Sequence, residues 1–491
     1  MNQDTRQICP VNPPFRRADF ACRPRPFTAN LVPRCSCRLP VTPVAALRAL
    51  AWENKHCMTT GTNQNDSKSA LLEELRWRGF LEATTADDLD SYLNEARRTI
   101  YVGFDPTADS LHLGSLIPVM GLAHVQRHGH RPLVLVGGGT GLIGDPSGKS
   151  AERLLLTSEL AEQNSTAIRK QLSRFFDLSS DERALMKNNA DWLLKLNLVD
   201  FLRDVGKHFS VNEMIRRDSV RTRLEERDQG ISFTEFSYML LQAYDFLHMC
   251  QHFDCTIQMG GSDQWGNILS GKDLIRRMLG QRAEGITFPL LTTSTGKKFG
   301  KTEEGAVWLD AARTSPYQMY QYWLQTADAD AGRYLRLFTF LDRERIEALD
   351  SETQRRPEDR EAQRVLAAEC TTLVHGADAV RSVEAASRIL FSGSAEVPTR
   401  ETIELLAREV PVTEIPRKDF EAGINLVDLI VRTRLTDSKG SARKLIEGGG
   451  VYLNNERQSQ IQKTITADDL KWPAAILLRA GKKNYHLVQI R

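Results

Sequence analysis

The sequence predicts an α/β chain: a Rossmann-like parallel sheet, then an all-α segment, then a small α+β unit at the C-terminus. Three observations carry that prediction. Short apolar runs at 99–104, 131–136 and 257–261 each break into a glycine-rich or polar turn and then a helical pattern, the alternation a parallel sheet requires. Between the second and third runs lies one long helix, Ser232 to Met249, apolar nearly all round and therefore suited to a large core. Beyond Pro316 the apolar period is helical until strand-like runs return near the end.

At 491 residues the chain has room for about three domains of ~150 residues. The expected division is a leader over 1–66, the α/β domain over 67–327, a helical domain over 328–393, a linker over 394–419 and the C-terminal unit over 420–491. Nothing approaches the ~18 successive apolar residues of a membrane span, so a membrane-embedded protein is not expected. Net charge is only +2, so any nucleic-acid surface must come from local clustering of basic side chains.

The first 57 residues hold eight of the 19 prolines, five of the eight cysteines, and nine Lys or Arg against three acids. They show no apolar period, and this reads as a disordered or non-native leader rather than a domain. An Arg-rich, acid-poor stretch also resembles an organelle transit peptide, although Ser36 is its only serine. Cys35 and Cys37 have no second pair at metal-ligand spacing. The remaining cysteines, Cys250, Cys255 and Cys370, read as reduced thiols of a cytoplasmic protein.

Ordered structure is expected from about Lys68, with helices at 69–78 and 86–96. The strand at 99–104 runs into Asp105-Pro106-Thr107 and His112-Leu-Gly-Ser115, and a helix follows to about Gly129. Strand, loop and helix N-terminus together present backbone N–H groups and a positive dipole end to an anion. Gly114 would let a nucleotide approach the backbone, and His112 could donate to a phosphate. After 131–136 come Gly139, Gly141 and Gly144, which match the letters GxGxxG. Asp145-Pro146-Ser147-Gly148 continues the loop where a dinucleotide fingerprint would already be helical, so the stretch reads as a glycine-rich pocket wall with Asp145 pointing in.

In the long helix, Ser232 and Glu235 have the spacing of a capping box. Tyr238, Gln242 and Asp245 stand at i, i+4 and i+7, a polar stripe on a buried helix. A buried carboxylate is costly unless hydrogen-bonded, so the stripe is either an internal network or the wall of a pocket for a polar ligand. The run at 257–261 ends in Gly260-Gly261-Ser262-Asp263-Gln264, and Thr295 to Thr302 gathers Lys297, Lys298 and Lys301 in a flexible loop able to close over phosphates. Helices are expected at 317–324, 331–338, 343–350, 358–374 and 377–390. Two short helices at 426–434 and 438–447, the run Gly448 to Asn454 and a final strand at 485–490 complete the chain. Arg432, Arg434, Lys439, Arg443 and Lys444 cluster among them, with Arg479, Lys482 and Lys483 nearby in sequence.

From about Leu71 to its end, the chain resembles a bacterial-type tyrosyl-tRNA synthetase. Tyr101 to Ser115 is similar to the family's first signature region, written HIGH, and Lys298-Phe-Gly-Lys-Thr302 to its second, KMSKS. Gly137 to Gly148, Gly230 to Phe246 and Gly260 to Asn267 resemble further family blocks. The resemblance implies a class I aminoacyl-tRNA synthetase that joins tyrosine to ATP and then to tRNA(Tyr), acts as a homodimer and uses Mg²⁺ with its ATP. It implies that the phenol of bound tyrosine meets Tyr101 and Asp245, and its ammonium Asp145, Tyr238 and Gln242. Asp105, Asp263 and Gln264 resemble the groups holding ribose and carboxylate, with Gly114, Ser115, Gly260 and Thr302 also on the ATP side. His112 and Thr107 are similar to the residues on the ATP phosphates, and Lys298 and Lys301 to those that stabilise departing pyrophosphate. Ser115 stands where the family commonly has a second histidine.

Such chemistry needs alignment and charge stabilisation rather than a protein nucleophile. No protein-bound metal is expected, although His248, Cys250, His252 and Cys255 are ligand-like residue types. The resemblance assigns the helical domain to the anticodon end of tRNA and likens the C-terminal unit to a small RNA-binding fold of ribosomal proteins, with Arg432, Lys439, Arg443 and Lys444 toward phosphates. Two alternatives stay open: a tryptophanyl-tRNA synthetase on the same scaffold, which Tyr101 and Asp245 disfavour, and a synthetase-derived RNA-binding or splicing protein. A cytoplasmic location is expected, or an organellar one if the leader is a transit peptide.

Overall fold

The computed structural model describes residues 71–491 apart from 148–154, 218–219, 222–223, 225–230, 303–304, 393–396 and 482–483. The expected leader, the first residues of the 69–78 helix, Gly148 and the Lys482–Lys483 pair therefore lie outside the described residues.

Six strands form the first sheet: β1 Ala83–Thr84, β2 Thr99–Phe104, β3 Arg131–Val136, β4 Leu185–Asn188, β5 Cys255–Gly261 and β6 Glu284–Phe288, in the order β1-β6-β5-β2-β3-β4. All neighbours are parallel except β1 on β6. The strands β2 and β3 occupy the expected residues, and β5 begins two residues early. Five of six residues of β3 are buried, which is why its sequence is a continuous apolar run rather than an alternating one. The chain steps outward from β2 through β3 to β4, then returns to place β5 on the other flank of β2. At that reversal the loops leaving β2 and β5 diverge, and a crevice opens at the carboxyl ends of the strands.

Three helices position this crevice: α1 Leu116–Arg127, α2 Phe233–Phe253 and α3 Trp265–Leu279. The start of α2 is fixed by Ser232, whose Oγ accepts the Glu235 N–H at 3.3 Å. It ends four residues later than expected, at Phe253, and is capped by Asp254, which takes a left-handed conformation with φ 52°. Gly271 lets α3 approach α2, because a Cβ there would lie 2.8 Å from the Phe246 ring.

The helical layer comprises α4 Pro316–Leu324, α5 Asp328–Phe338, α6 Arg343–Arg355, α7 Glu361–His375 and α8 Ala377–Ser387. A reciprocal capping box of Ser315 and Gln318, with Pro316 at the first position, starts α4. The expected start of α7 at 358 moves to Glu361 because Arg360 is left-handed, φ 49°. Arg78, 4 % exposed, ties the layers together: its guanidinium donates to the carbonyls of Arg336 and Thr339 at 2.9 Å and Leu341 at 2.7 Å.

Residues 394–419, expected to be a linker, instead contain α9 Arg400–Glu409 and β7 Val412–Ile415. Ile403, Leu405 and Leu406 are buried in the core that contains the helical layer. After α10 Leu426–Arg432 and α11 Lys439–Glu447 come β8 Val451–Leu453, β9 Glu456–Gln458, β10 Ala475–Ala480 and β11 Asn484–Ile490. The second sheet has the order β9-β8-β10-β11-β7, with β7 parallel to β11. No helix among the described residues is long and apolar enough to cross a membrane.

Candidate active site

A cavity of about 200 Å³ lies at the carboxyl ends of β2, β3 and β5. It gathers eight of the sequence-derived candidates: Tyr101 and Asp105 from β2 and its loop, Asp145 from the glycine-rich wall, Tyr238, Gln242 and Asp245 from α2, and Gly260 and Gln264 from the end of β5. The stripe on α2 is therefore a cavity wall.

The polar groups along that wall are cross-linked. Tyr238 donates its hydroxyl to Asp105 Oδ2 at 2.8 Å, and Thr140 donates to Asp105 Oδ1 at 2.7 Å. Gln264 Nε2 donates to Asp145 Oδ2 at 2.6 Å, while the Ser147 N–H donates to its other oxygen at 2.9 Å. Gln242 Nε2 donates to Gln264 Oε1 at 3.2 Å and accepts from Asn267 Nδ2 at 2.9 Å. At the deep end, Asp245 accepts from Asn189 Nδ2 at 2.8 Å and Trp192 Nε1 at 2.7 Å. Burial nevertheless pushes the Asp245 carboxyl up to about 7, the two donors opposing the shift and the Asp105 charge adding to it. Beside it the Tyr101 ring is 1 % exposed, and its hydroxyl has no hydrogen-bond partner within the protein. Burial first, then the charge of Asp245, raises that phenol well above its ordinary value.

Sequence reasoning missed Asn189, Trp192, Thr140 and Asn267, and also Gln258, whose buried Oε1 likewise has no partner. Asn189 follows β4, a four-residue strand interrupted by Lys187. The available signal was the Asn188–Asn189 pair at a strand end.

The remaining candidates lie outside the cavity lining. Thr107 and His112 are exposed, and Ser115 is half-buried with its N–H donating to the His112 carbonyl at 2.8 Å. A Cβ on Gly114 would meet the His112 ring at 2.8 Å. Asp263, half-buried, follows β5 directly. The stretch 295–302, expected to be a free loop, is tied down. The N–H of Thr293 donates to the Lys297 carbonyl at 2.8 Å, and Lys301–Thr302 pairs with Gly305–Ala306. The reason is Phe299, which is buried and stacks on Phe338 with ring centres 5.0 Å apart. Lys298 and Lys301 remain exposed and do not line the cavity. The two signature segments meet through glycines: a Cβ on Gly300 would lie 3.3 Å from the Gly114 nitrogen.

Farther away, Arg432, Lys439, Arg443 and Lys444 are all exposed on α10 and α11, with Lys439 paired to Asp428 at 2.6 Å. His248 stacks on Trp192 at 4.3 Å, and the Cys250 thiol donates to Gln281 Oε1 at 3.2 Å. Among the described residues no three His, Cys, Asp or Glu side chains form a group that could hold a metal ion.

A profile described as tRNA synthetases class I (W and Y) matches residues 93–392, and one for the tyrosine–tRNA ligase C-terminal domain matches 402–488. The tyrosine–tRNA ligase of Roseiflexus castenholzii is 51 % identical over 424 residues, 86 % of this chain and 100 % of that protein. The chain belongs to the tyrosyl-tRNA synthetases. Tyrosine–tRNA ligase 1 of Bacillus subtilis is 48 % identical over 422 residues, 85 % of this chain and 99 % of that one. Among solved structures, a C-terminally truncated mitochondrial tyrosyl-tRNA synthetase of Aspergillus nidulans is similar with a TM-score of 0.59 and 32 % identity, covering 71 % of this chain and 99 % of its own. Membership makes the chain a ligase that activates tyrosine and charges tRNA. Its class I α/β core, helical domain and sheet-containing C-terminal domain agree with the expected fold class.

Proposed function

We infer that the cavity receives L-tyrosine with its phenol between Tyr101 and Asp245, its ammonium toward Asp145, Tyr238 and Gln242, and its carboxylate toward the mouth. The single observation carrying this reading is the Tyr101 hydroxyl, a wholly buried polar group without a partner beside a buried carboxylate. A ligand phenol completes both: it donates to Asp245 and accepts from Tyr101. Phenylalanine leaves the Tyr101 hydroxyl unpaired and gives Asp245 no donor beyond Asn189 and Trp192, and sites of this kind reject the lesser analogue by roughly 10⁴ to 10⁵, a ratio whose standard example is this same enzyme family.

ATP binds at the mouth, with Asp105, Asp263 and Gln264 at ribose and carboxylate, Gly114 and Gly260 offering close backbone approach, and Thr107, His112, Ser115 and Thr302 toward the phosphates. Mg²⁺ accompanies the ATP. The tyrosine carboxylate attacks the α-phosphorus, the bond to pyrophosphate breaks, and Lys298 and Lys301 stabilise the charge that leaves. A ribose hydroxyl at the tRNA 3′ end then attacks the carbonyl and releases AMP. Because Tyr238 already holds Asp105 and Gln264 already holds Asp145, the ligand's polar groups join an existing network, a pre-organisation that lowers the cost of binding.

The basic residues on α10 and α11 meet tRNA phosphates. Leu198, Val199, Leu202, Val211 and Phe233, each more than half exposed, support a homodimer: the helices around 198–204 and 211–215 carry outward apolar side chains beside a small cluster containing Met239 and Leu240. The three buried free thiols fit a cytoplasmic protein. The test is ATP–pyrophosphate exchange with tyrosine, phenylalanine and tryptophan. Exchange with tyrosine alone is expected. Equal exchange with phenylalanine would remove the hydroxyl readout.

A further inference from the structure

The lysine loop is held at both ends by the helical layer. At its start, Ser294 donates its N–H to both oxygens of Asp330 at 3.0 Å and its hydroxyl to Oδ2 at 2.8 Å. Asp330 lies in the first turn of α5 and is 5 % exposed. In the middle, Phe299 packs among Phe338, Tyr334 and Trp323, with ring centres 5.0 to 5.8 Å away. Immediately after it, the Gly300 N–H donates to the hydroxyl of Tyr322 on α4 at 3.0 Å. Gly300 has φ +74°, so its backbone direction is unusual and fixed by its neighbours. Its carbonyl accepts the Val307 N–H at 3.0 Å, and the Val307 carbonyl accepts the Leu113 N–H at 2.9 Å, one residue after His112. Three hydrogen bonds therefore connect Tyr322 in the helical layer, through Gly300 between the two lysines, to the segment carrying His112.

We propose that Tyr322 and Asp330 are positioning residues for adenylate formation: they fix the lysine loop against the helical layer and so set where Lys298 and Lys301 stand when pyrophosphate leaves. Neither side chain lines the tyrosine cavity, so their removal acts on the lysines and leaves the amino-acid pocket alone. The inference rests on the role given to Lys298 and Lys301 above.

The experiment is a double-mutant cycle in ATP–pyrophosphate exchange on the full chain, with Tyr322→Phe, Lys298→Ala and their combination, and Asp330→Ala beside Asp330→Asn. The tyrosine dissociation constant is followed separately by quenching of intrinsic fluorescence. Tyr322→Phe keeps the ring and removes one hydrogen bond, so a roughly three- to tenfold fall in kcat is expected with tyrosine binding unchanged. In the Lys298→Ala background the same change should have less than half its effect on a logarithmic scale, because the group being positioned is gone. Asp330→Ala should lower kcat similarly, with partial recovery in Asp330→Asn, whose amide oxygen still accepts from Ser294. If Lys298→Ala itself leaves exchange intact, the lysine assignment falls. If Lys298→Ala is impaired but Tyr322→Phe is silent, multiplies fully with it, or weakens tyrosine binding as much as kcat, the positioning role is overturned.

Discussion

Replacing Tyr101 by phenylalanine separates a structural hydroxyl from a recognition hydroxyl. The ring is wholly buried and packs on Phe246 with centres 5.3 Å apart, so the phenylalanine ring occupies the same space and no cavity term arises. The hydroxyl makes no hydrogen bond within the protein, so its loss removes an unsatisfied buried group, whose burial costs about 1–3 kcal/mol. Stability should therefore stay level or rise by about 1 kcal/mol, and the melting temperature should not fall. Bound tyrosine, in contrast, loses one neutral hydrogen bond worth about 0.5–1.5 kcal/mol, a roughly two- to twelvefold loss in kcat/KM. Phenylalanine, which never used that hydroxyl, should be handled no worse, so the preference for tyrosine shrinks by the same factor. Thermal unfolding and exchange kinetics with both amino acids read the two halves. A melting temperature that drops by several degrees together with an unchanged tyrosine-to-phenylalanine ratio would refute the reasoning, because the hydroxyl would then be a structural group.

Four further outcomes follow from the same geometry. The Asp245 carboxyl, raised to about 7, gains its proton on lowering pH through neutrality and loses accepting capacity, so preference for tyrosine should fall below pH 7, whereas Asp245→Asn should show a flat profile. Because the folded pKa lies above the unfolded one, the native state binds the extra proton, and the stability it confers is full in acid and lost as pH rises from about 4 to about 7; Asp245→Asn should lack that slope in pH-dependent denaturation. Gly114→Ala pushes a methyl group into the His112 ring and should depress kcat with little change in melting temperature; normal exchange would mean that ring placement is immaterial. Arg78→Ala strips three carbonyls of their donor and should cost about 2–4 kcal/mol in denaturant unfolding, with activity intact at low temperature.

The parts of the fold legible in the sequence were those whose determinants are local. Thr99–Phe104 and Arg131–Val136 are apolar runs closed by turn residues, and both strands formed over those residues. The stripe Tyr238, Gln242 and Asp245 was legible because a helix repeats, and the cavity it lines was one of two readings its polarity allowed. Asn189 and Trp192 were not legible: their meaning depends on β4 pairing beside β3 and facing α2 more than fifty residues later, a contact no local pattern encodes. Residues 400–415 depart from the expected linker for a related reason. Pro398, Pro411 and Pro416 look like linker punctuation, whereas they bracket a helix and a strand whose partner, β11, is the last element of the chain. The lysine loop looks free in the sequence because Phe299 stands among lysines and glycines, whereas the aromatic shelf that receives it comes from α4 and α5.

The connection through α9 and β7 also bears on how the basic face proposed above to meet tRNA is presented. Asn455 Nδ2 donates to the Ile389 carbonyl at 2.8 Å, and the Tyr485 hydroxyl donates to that of Leu390, so two mooring points beside the end of α8 join the covalent one. A module on a slack tether searches a volume that grows with tether length, and each encounter forfeits that freedom anew. Here the search is completed when the protein folds, so on the proposed reading of α10 and α11 as the RNA-facing surface, both helices would meet a long, rigid ligand at a fixed bearing. Such an arrangement trades tolerance for speed: an RNA whose contact points are spaced correctly docks in one event, and one with different spacing gains little from the basic residues it does reach.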